Sequence, residues 1–373
     1  MLKTDCIYFP LDRPCRFHKK NKQVCVNCTH YRSVNTRNSP VTRILIIKLG
    51  AMGDVLRTTF LLPGLRAKWP RAHITWLVAA GSEPILNGNP HIDHIWPMDK
   101  TIYEKLSAER FDIVINLDLS PESLMLTRAA FAAVIIGYCL DDKRRIRSSN
   151  IFASRWLAMS GNDILKKKNT DTYQHWMAKI VGLPRNDYEI GTPLLPASVK
   201  KATAFAHRHG LTGKRIIGIN PGAGKRWKLK RWTDRGYRTL IARLGKAGYA
   251  ILLLGGKDEQ EILAGLSKNT RTTVVNSGTD NSIPDFFALI NLCELVVTGD
   301  TLALHAALGL KKKVVAVFGP TSAPEIAIYN RGVKVVSPLD CVCCYRQMCD
   351  KKPTCMDTIT ADMVEQAVTA CLL

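Results

Sequence analysis

No stretch of the 373-residue sequence is long and apolar enough to span a membrane. The most apolar one, residues 129–140, has about 12 residues, whereas a transmembrane helix needs roughly 20. The sequence begins MLKTDCIYFPLDRPC and has no apolar segment ahead of its first charges, which a secretory signal would need. It also contains no internal repeat and no low-complexity tract. We therefore expect a globular protein located in the cytoplasm.

Acidic residues are few: 31 Asp and Glu stand against 53 Lys and Arg, which gives a formal net charge of +22. An excess of this size indicates a polyanionic partner, which could be a nucleic acid, a phosphorylated sugar, a nucleotide or an anionic membrane surface. The composition, 46% hydrophobic and 23% charged, is typical of a globular protein with a sizeable core. It excludes a disordered, collagen-like or small disulfide-stapled chain, and the length suffices for two domains.

Two series of alternating strand and helix patterns follow a polar, cysteine-rich beginning. Residues 41–48 (VTRILIIK) form a continuous apolar, β-branched run, as in a strand buried on both faces. Such alternation predicts parallel sheets with right-handed crossovers, and hence two doubly wound α/β domains facing each other across a cleft. The predicted divisions are a Cys-rich N-terminal knuckle (1–40), a first Rossmann-like domain (41–195), a second (196–355) and a C-terminal helix (356–373) that packs back toward the first domain.

Further strands are predicted in both series, and the hinge between the halves is predicted at Pro193 and Pro196. Residues 139–172 are polar and basic, and we interpret them as a mobile surface region. The strand predictions are 74–78 and 112–117 in the first series, and 215–220, 249–254, 272–275, 294–298, 314–318 and 333–336 in the second.

The loop after the first strand reads Lys48-Leu-Gly-Ala-Met-Gly-Asp54. It has neither the G-x-G-x-x-G spacing of dinucleotide folds nor the G-K-[ST] of a P-loop, although its glycines would let a ligand approach the backbone. Ligands of doubly wound sheets bind at the carboxyl ends of the strands. Asp54 could simply cap the following helix, or it could accept a proton from a substrate hydroxyl.

Two further strand-end loops carry polar and basic residues. Residues 220–224 (NPGAG) precede the basic run 225–231, which includes Lys228 and Lys230. The run could be a solvated face or, with the backbone N–H groups near Gly222, a phosphate site. Residues 298–305 (TGDTLALH) lie at another strand-to-helix junction, where a helix N-terminus could hold a diphosphate. Instead of binding a ligand, Asp300 could simply cap the helix, and His305 could be a histidine of the core.

Taken together, these loops resemble glycosyltransferase family 9, the ADP-heptose:lipopolysaccharide heptosyltransferases. The resemblance covers residues 41–373 and implies a GT-B architecture, with the acceptor bound mainly by the first domain and the nucleotide sugar by the second. The motifs that carry it are KLGAMGDVL (48–56), NPGAGKRWKLKRW (220–232), TGDTLALHAALGL (298–310) and VFGPTSAPE (317–325).

The resemblance also implies roles for individual residues. Asp54 would be the general base, Lys230 would contact the donor diphosphate, and Asp300 and Thr301 would hold the donor. One position departs from the family, since Leu302 stands where a Gly usually follows the G-D-T motif. The full predicted donor site is Gly222, Lys228, Lys230, Asp300, Thr301, Leu302 and His305. The predicted acceptor site is Lys48, Arg57, Arg144 and Arg147.

The expected reaction is the inverting transfer of heptose from ADP-heptose to a lipopolysaccharide inner-core acceptor. The sequence has no D-x-D, the usual carboxylate pair for Mg²⁺ on a diphosphate, so we expect no cofactor for catalysis. Cationic groups and a helix N-terminus would stabilise the leaving group instead. A lipid-anchored acceptor would bring the basic surface to the inner face of the cytoplasmic membrane.

The 12 cysteines are clustered. Cys6, Cys15, Cys25 and Cys28 include one tight C-x₂-C pair suited to structural zinc, with an iron–sulfur cluster or no metal as the alternatives. Five more lie between residues 341 and 355. This second cluster resembles a cysteine segment of the heptosyltransferases, and we expect it to be structural, with metal binding as the alternative.

Two other functions compete with heptose transfer. One is transfer of a sugar from another ADP- or UDP-sugar by a related GT-B enzyme. The other is a zinc-containing nucleic-acid-binding protein, which the charge of +22 and the cysteines would suit. No helix carries a continuous basic stripe with base-reading residues, so we expect no nucleic-acid partner.

Overall fold

The computed structural model describes residues 2–3, 6, 8–9, 13–31, 41–184, 187–268 and 273–373, without the side chains of residues 225 and 226. The predicted N-terminal extension is thus described in part, and residues 32–40 lie outside the described residues. Its described elements are helix α1 (Arg16–Asn21) and a short 3₁₀ turn at Cys25–Asn27.

A six-stranded sheet forms the first half of the molecule, in the order β3-β2-β1-β4-β5-β6. Adjacent strands run parallel except at the β5–β6 pair. The first predicted strand is confirmed as β1, four of whose five residues are buried because helices cover both faces. The strands are β1 (Arg43–Ile47), β2 (His73–Ala79), β3 (His94–Met98), β4 (Arg110–Asn116), β5 (Phe131–Leu140) and β6 (Ile146–Ser148).

Seven helices are described in this half, and two of them lie where a mobile region was expected. Within 139–172 the chain forms β6, α6 and α7, so that expectation is wrong. Asn150 and Asn162 cap α6 and α7 by accepting hydrogen bonds from backbone N–H groups, and α6 buries Ala153 and Met159. The helices are α2 (Met52–Thr58), α3 (Leu61–Lys68), α4 (Ile102–Ala108), α5 (Pro121–Ala129), α6 (Ile151–Ser160), α7 (Asp163–Lys168) and α8 (Tyr173–Val181).

A second six-stranded sheet, parallel throughout, has the order β12-β11-β10-β7-β8-β9. Its strands are β7 (Ile216–Asn220), β8 (Ala250–Leu253), β9 (Val274–Asn276), β10 (Leu295–Gly299), β11 (Lys313–Phe318) and β12 (Gly332–Val336). The accompanying helices are α9 (Pro196–Arg208), α10 (Asp234–Lys246), α11 (Gln260–Ser267), α12 (Ile283–Asn291), α13 (Leu302–Gly309) and α14 (Ala361–Leu372).

The two sheets share one topology, and the predicted pair of doubly wound domains is confirmed. Each has the strand order 3-2-1-4-5-6 of a Rossmann fold when its strands are numbered from its own start. The order reverses between β1 and β4 in the first sheet and between β7 and β10 in the second. Ligands of such sheets bind at these switch points, so the loops after β1, β4, β7 and β10 are where a site is expected.

The sequence predicts that the C-terminal helix packs back toward the first domain, and this prediction is wrong. Instead α14 lies on β10, β11 and β12 of the second sheet and beside α10. Its buried residues Val364, Ala367 and Val368 join the apolar cluster of that sheet. Arg243 of α10 also forms ion pairs with Asp362 and with Glu365 (2.7 Å). The apolar side of this amphipathic helix therefore covers one face of the second sheet.

One apolar cluster runs through both halves of the molecule. It includes Phe60 and Trp76 of the first half and Phe287 and Phe318 of the second, all fully buried. Helix α2 packs directly against α13 where the halves meet. In the described part of the chain, no helix has both the length and the apolar character that crossing a bilayer requires.

Candidate active site

The four switch-point loops line one cavity of about 1250 Å³ between the two domains. From the first domain the cavity receives the loop after β1 and the start of α2. From the second it receives the loops after β7 and β10 and the start of α13. The predicted cleft therefore exists, and the three motif loops meet in it.

The loop after β1 is held by a carboxylate that follows β4. Asp118 Oδ2 accepts hydrogen bonds from the backbone N–H groups of Leu49 (3.1 Å) and Gly50 (3.3 Å). The buried Lys48 ammonium lies 3.6 Å from the same oxygen. Two hydrogen bonds and one ion pair to a single carboxylate oxygen fix the path of this loop and aim the following helix at the cleft.

Asp54 is the third residue of α2, within its first turn, and not the residue that precedes the helix. The N-cap position is Ala51, and no side chain caps this helix, so the interpretation of Asp54 as a simple cap is wrong. Arg57, one turn later, forms an ion pair with Asp54 (Nη2–Oδ1, 2.9 Å). The Arg57 guanidinium also lies 3.9 Å from the ring centroid of Tyr173, and the Tyr173 hydroxyl is 2.7 Å from Thr58 Oγ1. These contacts hold Asp54 in a defined orientation.

The charges around Asp54 keep it ionised. Burial acts to raise the pKa of Asp54, but the nearby cations Arg57 and Lys48 outweigh it and hold the pKa below its usual value. His305 and Asp300, from the second domain, also influence this pKa, so the charges of the two domains act on each other across the cleft. The carboxylate is therefore available as a hydrogen-bond and proton acceptor at neutral pH.

On the opposite wall, a buried polar network joins the ends of β7 and β10. Asn220 Oδ1 accepts hydrogen bonds from the hydroxyls of Thr298 and Thr301, each at 3.1 Å. The Asn220 amide donates to the backbone carbonyl of Leu254 (2.9 Å). Because every one of these groups has its partner, the network fixes the two loops relative to each other.

Lys230 lies beside this network and contacts the predicted donor residue Asp300. Its ammonium is 2.9 Å from Asp300 Oδ2 and donates more weakly to the Asp300 carbonyl (3.3 Å). Burial acts to raise the pKa of Asp300, but Lys230 outweighs it and the pKa is lowered. Lys230 is thus a partly buried cation, held beside the loop that precedes α13.

His305 faces the first domain from one turn inside α13. Its Nε2 lies 3.9 Å from Asp300 Oδ1, and a Cβ on Gly53 would lie only 3.0 Å from His305 Cδ2. A glycine at position 53 therefore allows α2 and α13 to approach each other. Burial lowers the pKa of His305 to about 4, so the imidazole is neutral at pH 7.

This buried histidine should make stability pH-dependent. The unfolded chain takes up the His305 proton near pH 6.5, whereas the folded protein takes it up only near 4. The free energy of unfolding should therefore fall by roughly 2–3 kcal/mol as the pH drops from 6.5 to 4, and that loss should be absent above 6.5. Urea unfolding of wild type and His305→Gln at several pH values measures it.

The variant should lose this part of the pH dependence, since it has no imidazole to protonate. His207→Gln, on the exposed face of α9, is the control and should follow the wild type. Parallel curves for wild type and His305→Gln across this range would contradict the assignment.

The other predicted site residues divide into two groups. Gly222, Thr301 and Leu302 line the cleft, as Lys48 and Arg57 do. Three cations do not line it: Lys228 is exposed and lines a separate cavity of about 500 Å³, and Arg144 and Arg147 are exposed on the β5–β6 hairpin. The side chains of residues 225 and 226, in the same basic run, are outside the described part of the structure.

The N-terminal cysteines do not form the metal site that their spacing suggested. Cys6, Cys15, Cys25 and Cys28 are all free thiols and border one cavity of about 370 Å³. Among the described residues, no group of three or more His, Cys, Asp or Glu side chains is arranged to hold a metal ion. The nearby histidines are used otherwise: His18 Nδ1 contacts the Gln23 carbonyl (3.1 Å), and His30 stacks on Phe17. The geometry therefore supports neither zinc nor an iron–sulfur cluster here.

The distal cysteines belong to a loop that covers the strand end after β11. The Cys343 N–H donates to the Gly319 carbonyl (3.0 Å), and a Cβ on Gly319 would collide with Cys355 Sγ at 2.5 Å. Burial raises the pKa of Cys355 to about 11, so its thiol is uncharged at neutral pH. These contacts are those of a packed segment, and a structural role for this cluster stays a prediction.

Comparison with known proteins decides the family. The family model described as "Glycosyltransferase family 9 (heptosyltransferase)" matches residues 100–354, more than half of the chain. The chain belongs to glycosyltransferase family 9. Lipopolysaccharide heptosyltransferase 2 of Escherichia coli K12 is 24% identical in an alignment 323 positions long, which covers 79% of this chain and 88% of that protein.

Two solved structures of family members share the fold. A family 9 glycosyltransferase from Veillonella parvula superposes with a TM-score of 0.75 at 20% identity, over 89% of this chain and 97% of that one. The E. coli ADP-heptose lipopolysaccharide heptosyltransferase II gives 0.64 at 21% identity, over 89% and 98%. The predicted GT-B arrangement of this glycosyltransferase is thereby confirmed.

Sequence reasoning gave no role to Asp118 and Glu325, which line the cleft, or to Tyr173, which stacks on Arg57. Asp118 follows a strand at the switch point, so its position in the sequence could have singled it out. Glu325 is the last residue of the VFGPTSAPE motif, but the motif alone does not show that this residue is buried at the cleft. Tyr173 offers no comparable signal, because it reaches Arg57 only where distant segments meet.

Proposed function

We propose that this family 9 glycosyltransferase transfers a heptose from ADP-heptose to a lipopolysaccharide inner-core acceptor, with inversion and without a metal ion. The observation that carries the proposal is the juxtaposition of two opposed groups in one cleft. An ionised carboxylate, Asp54, projects from the first domain, and a partly buried cation, Lys230, lies beside the start of α13 in the second. The names of the E. coli relative and of the E. coli heptosyltransferase II structure support the choice of donor and acceptor.

The proposed chemistry is a single displacement. The acceptor hydroxyl attacks the anomeric carbon from the side of Asp54, and its proton passes to the Asp54 carboxylate. The bond between the anomeric carbon and the diphosphate oxygen breaks, and ADP leaves from the opposite face. The charge that develops on the leaving oxygen is met by Lys230 and by free N–H groups at the start of α13.

The donor can be identified directly. We expect ADP and ADP-heptose to raise the melting temperature of the protein. We also expect ADP to be released from ADP-heptose when a lipopolysaccharide inner-core acceptor is added. Thermal-shift measurements with ADP-, UDP- and GDP-sugars, followed by an ADP-release assay, test this. A preference for UDP-sugars would overturn the assignment of ADP-heptose.

A related transferase for another nucleotide sugar is the second candidate function. Leu302 favours it, because this residue lies in the cleft at the first position of α13. Its side chain could limit how closely a diphosphate approaches the helix, where the family usually has Gly. The same screen separates the two candidates, since a different ADP-sugar would then give the largest shift.

We further propose that the protein works in the cytoplasm, at the inner face of the membrane, on a lipid-anchored acceptor. The surface formed by the β5–β6 hairpin, α6 and α7 borders the acceptor side of the cleft through Trp156 and Lys166. Between residues 143 and 168 it carries eight Lys and Arg and one Asp, and it exposes Ile151 and Ile164. Basic charge with exposed apolar side chains suits an anionic lipid surface.

Binding to vesicles tests this contact. The protein should sediment with vesicles containing anionic lipid but not with neutral ones, and added salt should release it. Each of Lys167→Glu and Lys168→Glu should weaken binding by about fivefold or more, from about 1 kcal/mol per cation. Lys200→Glu, an exposed position on α9 of the second domain, is the control. Equal effects at all three positions would contradict a specific docking surface.

A further inference from the structure

We propose that Glu325 determines which sugar is transferred, by accepting hydrogen bonds from hydroxyl groups of the donor's glycosyl unit. This inference rests on the proposed function and extends it to the last residue of the VFGPTSAPE motif, to which the sequence analysis gave no role. Glu325 lies between β11 and β12, is 8% exposed and lines the cleft.

The position of Glu325 is firmly fixed. Its backbone carbonyl accepts a hydrogen bond from the Tyr173 N–H (2.9 Å), so the residue lies where the two domains touch. The loop that carries it is held by Tyr345, whose hydroxyl accepts from the Ser322 N–H (3.2 Å) and whose N–H donates to the Pro320 carbonyl (2.8 Å). A carboxyl on such a loop has little freedom to leave the cleft.

The carboxyl group of Glu325 lacks the contact that the other two acidic groups of the cleft have. Asp54 is paired with Arg57 and Asp300 with Lys230, each at 2.9 Å. Among the described residues, no side-chain hydrogen bond or ion pair of Glu325 is found. Burial raises its pKa, although Arg57 and Lys166 lie near enough to oppose that effect. A buried carboxyl without donors is costly, and a ligand that supplies donors would relieve that cost.

The surroundings of Glu325 favour sugar hydroxyls as those donors. A diphosphate would be repelled by the carboxylate, and its cradle is already formed by Lys230 and the start of α13. Glu325 lines the same cavity as Asp54 and Asp300, and the charges of both act on it, so it lies near the proposed base and the donor loop. The anomeric centre has to lie between those two groups, and a carboxylate beside it can accept hydrogen bonds from neighbouring hydroxyls of the same sugar ring.

The donor's glycosyl unit fits better than the acceptor. Glu325 belongs to the second domain, as do Lys230 and Asp300, and the loop after β11 continues the wall that these residues form. The predicted acceptor contacts Lys48 and Arg57 belong to the opposite wall. A sugar held by Glu325 would therefore move with the nucleotide when the donor binds.

Two variants test the inference with the full-length protein. Glu325→Gln retains the shape of the side chain and Glu325→Ala removes its acceptors, so we expect kcat/KM for ADP-heptose to fall by about 10-fold and 100-fold respectively. The Kd of ADP alone, measured by calorimetry, should stay within about twofold of wild type, because ADP has no glycosyl unit to contact the residue. Glu104→Gln, at an exposed carboxyl of α4 that does not line the cleft, is the matched control.

Monodeoxy analogues of ADP-heptose sharpen the test. Removing the hydroxyl that Glu325 contacts should raise the Kd of the donor for the wild-type protein by about 10-fold. The same removal should change the Kd for Glu325→Ala little, because that variant has already lost the interaction. Unchanged ADP-heptose binding in both variants would overturn the inference. An equal loss of ADP affinity, or an equal penalty for every deoxy analogue in wild type and variant, would also overturn it by indicating a structural role.

Failure of the proposed function gives a different result. In that case wild-type protein would neither bind nor turn over ADP-heptose, and the comparison would use whichever nucleotide sugar gives the largest thermal shift. Glu325→Ala should still weaken the binding of that nucleotide sugar more than the binding of the free nucleotide. Equal weakening of both would overturn the inference independently of the donor.

Discussion

Replacing Asp54 by Asn should lower kcat for sugar transfer by about 10²- to 10⁴-fold while leaving the Kd of ADP within about twofold of wild type. The amide has nearly the shape of the carboxylate and can still accept a hydrogen bond from the acceptor hydroxyl. It cannot take up the proton, however, so the attacking oxygen must develop positive charge. Because Asp54 lies on the first-domain wall, removing its charge leaves the diphosphate cradle in the second domain intact.

Single-turnover transfer and calorimetric titration with ADP, performed on the same preparation, separate these two quantities. Asp285→Asn is the matched control, because Asp285 is also an ion-paired carboxylate (2.9 Å to Lys201) but does not line the cleft. Its kcat should stay close to that of wild type. A fully active Asp54→Asn protein would remove Asp54 from the mechanism.

The lowered pKa of Asp54 has a consequence for the pH profile. A base with a low pKa is a weak one, so proton transfer has to occur late, after the bond to the anomeric carbon has made the hydroxyl acidic. The benefit is that Asp54 stays ionised in mildly acidic solution. We therefore expect no fall in kcat/KM from protonation of Asp54 between pH 8 and about 5, well above its lowered pKa.

Much of this architecture can be predicted from local patterns. The continuous β-branched runs of β1, β7 and β10 indicate buried parallel strands, and their order in the chain places Gly-containing loops at the switch points. Edge strands are harder to recognise. Strand β3 was missed because Pro97 interrupts it and its residues are only partly buried, as is common at the margin of a sheet.

The side-chain partners within the cleft could not be predicted in the same way. Arg57 pairs with Asp54 three residues away, but it also stacks on Tyr173, more than a hundred residues later. The low exposure of Glu325 and the packing of α14 on the second sheet likewise depend on how distant segments meet. Spacing identifies residues that share one helix face or strand end. It does not identify which groups two domains bring together.

Replacing Lys230 by Met should weaken ADP binding by about 10- to 100-fold and lower kcat by about 10²- to 10³-fold, the second largest effect we expect. In the ligand-free protein Lys230 neutralises Asp300 at 2.9 Å, and on donor binding the diphosphate would compete for the same ammonium. Losing Lys230 removes its attraction for the diphosphate and leaves an unpaired, partly buried carboxylate at Asp300 that repels phosphate. Both effects act on the donor, and the second grows as charge develops on the leaving group.

The removal of one partner from a partly buried ion pair can also lower stability, so folding has to be controlled. Lys230→Arg retains the charge and should keep the fold while recovering part of the ADP affinity. Lys230→Met combined with Asp300→Asn removes both charges, which should restore the melting temperature but not kcat. Lys228→Met tests whether the basic run acts merely through its overall field. Because Lys228 is exposed and lies outside the cleft, that change should alter kcat by less than about threefold. A loss as large as that of Lys230→Met would show that no single cation is responsible for leaving-group stabilisation.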